Sequence, residues 1–174
     1  HIEFGNQTFA AKGDIGGKLG ALHDYQVDVL VPNQQAIDDM ARSVADEFNA
    51  VLAAGLDLNG NPGAPLFTYD PANPAASLDI TNITADELAF SADGNPGNSD
   101  NLKDLIAISN KPVAISGLGS LSLNDAFTAM VGETAIKARQ AESDYQAKKP
   151  MSDQAVAARD NVSAVNSDEE AANL

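Results

Sequence analysis

Apolar residues recur at helical spacing in two long stretches of this chain, with a segment of different rhythm between them. In the first, Ile15, Leu19, Leu22, Val29, Ile37, Met40, Val44, Phe48, Val51 and Leu52 fall mostly three, four or seven positions apart. Asp24, Asp28, Asp38, Asp39, Asp46 and Glu47 stand between them. Such a pattern predicts an amphipathic helix with a heptad flavour, and it places the Asp38–Asp39 pair on a solvated face. Pro32 lacks a donor and crowds the turn before it, so a kink or break is expected near Val31. Gly55 is positioned to end the helix as a left-handed cap. The second stretch opens at Ser122, which with Asp125 suits an N-terminal cap. Its expected inward set is Leu123, Phe127, Met130, Val131, Thr134, Ala138, Ala141 and Tyr145. The rhythm runs past Pro150 through Ser152, Ala155, Val162 and Val165, so a kinked continuation is expected.

Between and before these stretches the period shortens. Ile2 and Phe4 flank a polar Gly-Asn-Gln, which suggests a short hairpin within residues 1–13. Residues 56–121 read as loop, short strands and one short helix. The strands are "LFTYD" and "SLDITNI"; Thr84 and Glu87 have capping-box spacing; the helix falls at 99–109, with Leu102, Leu105, Ile106 and possible neighbour Ile108 inward. The expected fold is mainly α: an elongated antiparallel bundle of long helices, 14–55 and 122–166, with a small β and loop region at one end. Residues 167–174 read as the start of a further helix.

Composition narrows the function classes. Of 174 residues, 25 are acidic and 10 basic, a net charge of −15. Nucleic-acid binding needs Lys and Arg to neutralise phosphates, so neither nucleic acid nor an anionic membrane is an expected partner. Hydrophobic residues make up 44% but aromatics only 5%, so packing must rely on aliphatic and small side chains. The chain has no Cys, which excludes disulfides, thiolate catalysis and cysteine zinc sites. No apolar run reaches the roughly 18 residues of a membrane span, and the first residues lack the basic start and apolar stretch of a signal peptide.

Candidate chemistry was tested against templates. "GLDLNGNPGAP" (55–65) places Asp57, Asn59 and Asn61 at alternate positions, as in a calcium loop. Counting from Asp57, however, Pro62 stands where the loop needs Gly and Thr68 where it needs a bidentate Glu. A turn explains the same residues better, and "GNPG" recurs at 94–97. "GDIGGKLG" fails as a phosphate loop because Leu19 follows Lys18 where Ser or Thr should stand. "VAISGLGSLS" carries only part of a dinucleotide fingerprint, with Ser122 in place of the third Gly. His23 is read as a surface or partly packed side chain. No catalytic set, metal site or cofactor motif emerges, and the chain is not read as an enzyme.

One segment is more specific. "SAVNSDEEAANL" (163–174) resembles the C-terminal motif of bacterial flagellar axial proteins, the rod, hook and hook-associated proteins, with Ala164 and Ser167 departing from their pattern. On its own physics it is a helix start: Ser167 and Glu170 have capping-box spacing, and Asp168, Glu169 and Glu170 suit the positive end of a helix dipole. "GGKLGAL" (16–22), "ADEFNAVLAAGLDLNGNPG" (45–63) and "LNDAFTAMVGE" (123–133) narrow the resemblance to the hook-associated proteins, the first of those at the hook–filament junction. The resemblance implies an internal and C-terminal piece of such a protein: a structural adaptor, secreted to the extracellular flagellum, acting by subunit packing. It implies hook protein and a neighbouring hook-associated protein as partners, self-association in a ring, and an assembly role for Asn166, Asp168, Glu169, Glu170 and Asn173. Two alternatives stand beside it: a hook or rod axial protein, or a calcium-dependent surface binding module resting on the two Asn-rich turns.

Overall fold

The computed structural model describes residues 2–4, 7–9, 16–95 and 97–163. The motif residues Asn166, Asp168, Glu169, Glu170 and Asn173 lie outside them. Strands β1 (Ile2–Phe4) and β2 (Gln7–Phe9) pair antiparallel, Ile2 opposite Phe9. Helix α1 (Gly17–Tyr25) runs into a π-helical segment, Gln26–Leu30, and then into α2 (Val31–Ala54). The irregularity expected at Pro32 is this π segment. Val31 N–H donates to Gln26 C=O, five residues back, so the widened turn comes immediately before the residue that has no N–H to give.

The segment after α2 folds back along it. β3 (Phe67–Thr68) pairs antiparallel with β4 (Asp79–Ile80) around the short helix α3 (Pro74–Ser77). A 3₁₀ turn at Ala85–Glu87 carries the expected capping box: Glu87 Oε2 accepts from Thr84 N at 2.8 Å and Thr84 Oγ1 at 2.9 Å. Helix α4 (Asp100–Ala107) leads through a 3₁₀ turn to strands β5 (Val113–Ile115) and β6 (Gly119–Leu121). The glycines of "SGLGS" form the turn of this hairpin. Ile115 pairs with Gly119 across a three-residue connection, and Gly117 and Gly119 take φ of 78° and 84°, which a side chain would resist. Helix α5 (Leu123–Ser163) starts where Ser122 predicted. Ser122 Oγ accepts from Asp125 N at 3.2 Å and donates to Asp125 Oδ2 at 2.7 Å. Pro150 lies inside α5 without ending it. The result is the mainly α fold with small antiparallel strands that the sequence predicts.

The chain divides into two units, residues 1–132 and 133–174. In the first, two clusters form the core. Ala36 of α2, Val113 and Ile115 of β5, and Ala126 and Met130 of α5 make one; Leu52, Ala89, Leu105 and Ile108 make the other. The inward faces match the expected ones only in part: Leu52, Leu105, Ile108 and Met130 are buried, and Met40, Phe48, Val51 and Leu123 pack against the clusters. Leu19, Leu22 and Ile37 are exposed, while Ala36 and Ala45 are fully buried. On α5, Met130 is buried as expected, but Phe127 and Val131 are exposed and Ala126 is buried instead. Small side chains let neighbouring backbone come close, so alanine faces the tightest contacts and larger residues are displaced to the sides. On α4, Leu105 is buried but Ile106 is 65% exposed. In the second unit, Ile136, Tyr145, Met151 and Val156 of α5 are all exposed.

Candidate functional site

Helix α2 acts as a spine to which the chain that follows is pinned. Each pin is a polar side chain reaching a backbone group or a side chain far away in sequence. Asp38 Oδ1 accepts from Ala75 N at 3.0 Å, in the first turn of α3. Asp39 Oδ2 accepts from Ser116 N at 2.9 Å, in the β5–β6 turn, and Oδ1 meets Arg42 at 3.2 Å. Asp46 accepts from Tyr69 Oη at 2.9 Å, and Glu47 pairs with Lys111 at 2.5 Å. Asn49 does both jobs at once, donating to Phe67 O at 2.8 Å and accepting from Phe67 N at 3.0 Å, as a neighbouring strand would. Phe48 meets the Phe67 ring edge-on, with centroids 5.6 Å apart.

The Asp38–Asp39 pair is thus not the solvated face the periodicity suggested. Both residues are half-buried, and each holds a different loop. Burial pushes the Asp39 carboxyl up, but the Ser116 hydrogen bonds and the Arg42 charge outweigh it and hold it below its ordinary value.

The end of α2 is the most tightly built part. Gly55 is not a left-handed cap: its φ is −94° and ψ 179°, an extended geometry open to any residue. What it requires is the absence of a side chain. A Cβ there would collide with Asn101 Nδ2 and stand 2.6 Å from Ala89 O. Asn101, 4% exposed, donates through Nδ2 to Val51 O at 2.9 Å and Ala89 O at 2.5 Å. It closes the open carbonyl end of α2 that Gly55 was expected to close. Gly63 is constrained in the same way by Leu52 O and the Ala89 side chain.

The two Asn-rich turns are each organised around one aspartate. Asp57, 6% exposed, accepts through Oδ1 from Asn59 N and Asn61 N, both at 2.8 Å. Those donors, Asn61 first, hold its carboxyl below the usual aspartate value. Asp93 accepts from Asn95 N at 3.0 Å, Asn95 Nδ2 at 2.8 Å and Asn98 Nδ2 at 2.9 Å, and is lowered for the same reason. The oxygens a cation would take are engaged by amides of the loops themselves. Among the described residues no group of three or more His, Asp or Glu is placed to hold a metal ion.

Two of the depressions on the first unit bear on function. One, about 370 Å³, is polar and lined by Asp39, Arg42, Asp46 and Glu47 beside Pro112–Ala114. Its acids are the pins already described, each with a partner, so none stands ready as a general base. The other is an open groove of about 910 Å³ walled by apolar side chains, among them Phe48, Leu66, Phe90, Leu102, Ile106 and Phe127. It carries no charged lining residue and offers packing surface rather than acid–base chemistry. His23 is exposed on α1. Sequence reasoning missed Asn49 and Asn101. Their type is unremarkable in a helix, and only burial beside free backbone groups reveals their role.

Comparison with known proteins gives two findings. Residues 1–67 match the family described as the flagellar hook-associated protein FlgK helical domain. The chain is also 26% identical, over 186 residues, to flagellar hook-associated protein 1 of Bacillus subtilis (strain 168). That similarity covers 97% of this chain and 36% of the relative, so the chain spans about a third of the length of the curated relative it matches.

Proposed function

We propose, from the premise that these two similarities support, a hook-associated protein, that this chain is a structural segment of the adaptor joining hook to filament. It works by packing against neighbouring subunits. The observation that carries this reading is the apolar groove of the first unit. A solvent-facing surface walled by Phe90, Leu102, Ile106 and Phe127 is what a subunit contact needs. Two pins support it: Asn49 holds the backbone of Phe67 next to Leu66, and Asn101 ties α4 to Val51 and Ala89, so a partner meets preorganised structure. The acids of the polar cleft hold loops in place.

The partners of this reading are hook protein, a neighbouring hook-associated protein and further copies of the same chain, in the flagellum outside the cell. Asn166, Asp168, Glu169, Glu170 and Asn173 take an assembly role in it. The test is binding of the purified chain to isolated hooks, followed by electron microscopy. Label confined to one end of each hook is the expected result. Label scattered along the hook would favour a hook or rod protein, and no label would remove the junction role. Calorimetric titration with calcium should give no heat that depends on Asp57; such a heat would restore the binding-module alternative.

A further inference from the structure

The turn after α2 contains the one Asn–Gly pair in the whole sequence, Asn59–Gly60. We propose that Asn59 is a site of spontaneous deamidation and that the hydrogen-bonded turn closed by Asp57 sets its rate. In the reaction the Gly60 nitrogen gives its proton to solvent base and attacks Asn59 Cγ. A new C–N bond forms, the Cγ–Nδ2 bond breaks, and the side-chain nitrogen leaves as ammonia. Water then opens the five-membered succinimide at either carbonyl, giving aspartate or isoaspartate. Nothing is oxidised or reduced, and water is the sole co-reactant.

Glycine matters because it has no Cβ to crowd the attacking nitrogen. Gly60 takes φ of 79°, its surroundings are open, and Asn59 is exposed to solvent. The same sequence supplies controls. Asn61, Asn73 and Asn95 precede Pro62, Pro74 and Pro96, which have no N–H to ionise.

The folded turn opposes the reaction in two ways. Gly60 N–H donates to Asp57 O at 3.1 Å, which holds the proton that must leave. Asn59 N and Asn61 N both donate to Asp57 Oδ1 at 2.8 Å, which fixes the backbone on either side of Gly60 and resists the rotation that would bring Asn59 Cγ to Gly60 N. Modification would undo the device that delays it. A second carboxylate would face Asp57, and isoaspartate would add a methylene to the turn's backbone. The same stretch is tied to 86–91 by Leu56 N to Ser91 O at 2.8 Å and Leu58 N to Asp86 O at 3.1 Å, and those ties would loosen.

The experiment incubates the protein in warm, mildly alkaline buffer and follows each Asn-containing peptide by mass spectrometry. Deamidation adds about one dalton, and an isoaspartate methyltransferase assay identifies the isomer. In the folded chain Asn59 should convert several-fold more slowly than in a synthetic peptide of residues 53–66, with Asn61 unchanged in both. Asp57→Ala should remove most of that difference, and Asp57→Asn part of it, with circular dichroism confirming that the variants are folded. Equal rates in peptide and folded chain, or Asn98 converting first, would overturn the proposal. The comparison of wild type with peptide needs no substitution, so it decides even if Asp57→Ala unfolds.

Discussion

Asn101 shows how much one residue holds here. Its amide joins the end of α2 to the loop at Ala89 by donating to both Val51 O and Ala89 O. Asn101→Leu leaves Val51 O and Ala89 O buried without that donor, and should cost about 1–3 kcal/mol in chemical denaturation. Gly55→Ala should cost a similar amount, roughly 1–3 kcal/mol, through overpacking against Asn101 and Ala89 O. Were left-handed strain the problem, Asn at 55 would be tolerated better than Ala; the extended φ predicts that it is not. Asp57, Glu87 and Asp93 all have carboxyls held below their ordinary values by hydrogen bonds. The sign follows: a lowered folded pKa stabilises the fold above the unfolded value, near 3.8 for aspartate, and that contribution is lost as pH falls through the folded value. Thermal melts should therefore drop steeply below about that pH, and Asp57→Asn should flatten part of the slope.

At the scale of elements, α2 and α5 obey different rules. The first is a tertiary spine whose acids hold loop backbones (Asp38, Asp39) or loop side chains (Asp46, Glu47). Asp39→Ala should lower stability by about 1–2 kcal/mol, because Ser116 N loses a charged acceptor, whereas a solvated aspartate would change almost nothing. Hydrogen exchange at the Ser116 amide reads this directly. Helix α5 carries Pro150 in its interior, where one backbone hydrogen bond is missing. Pro150→Ala should raise helix content by far-UV circular dichroism and favour the helix by about 3 kcal/mol locally. The existence of both helices was legible in the sequence, and so was the Ser122 cap, because period and cap chemistry are local. Their inward faces were legible only in part: Leu52 and Met130 are buried as the period requires, but Leu19, Leu22, Ile37, Phe127 and Val131 are exposed. The periodicity singled out Phe127, Met130 and Val131; of these the fold buries Met130, beside Ala126, and leaves the other two exposed, since the face that wins is chosen by the β5–β6 hairpin packed against it.

For the whole molecule, the apolar groove sets the expectation. The isolated chain should be a monomer or weak oligomer by light scattering, with apolar surface left uncovered. A stable closed ring formed by this chain alone would contradict that. Phe127→Asp and Ile106→Asp should leave stability within about 0.5 kcal/mol, both side chains being more than half exposed. If the proposed subunit contact uses this groove, each should weaken binding to isolated hooks by about tenfold or more, about 1.4 kcal/mol. By itself the sequence determined the helices, their starts, the Asn-rich turns, the acidic balance and the resemblance to flagellar proteins, because each depends on residues near one another along the chain. Only the tertiary structure decided that Asp38 and Asp39 pin loops, that Gly55 yields space to Asn101, and that alanines face the core. Those outcomes depend on which distant backbone group arrives beside a side chain, and no local pattern records that.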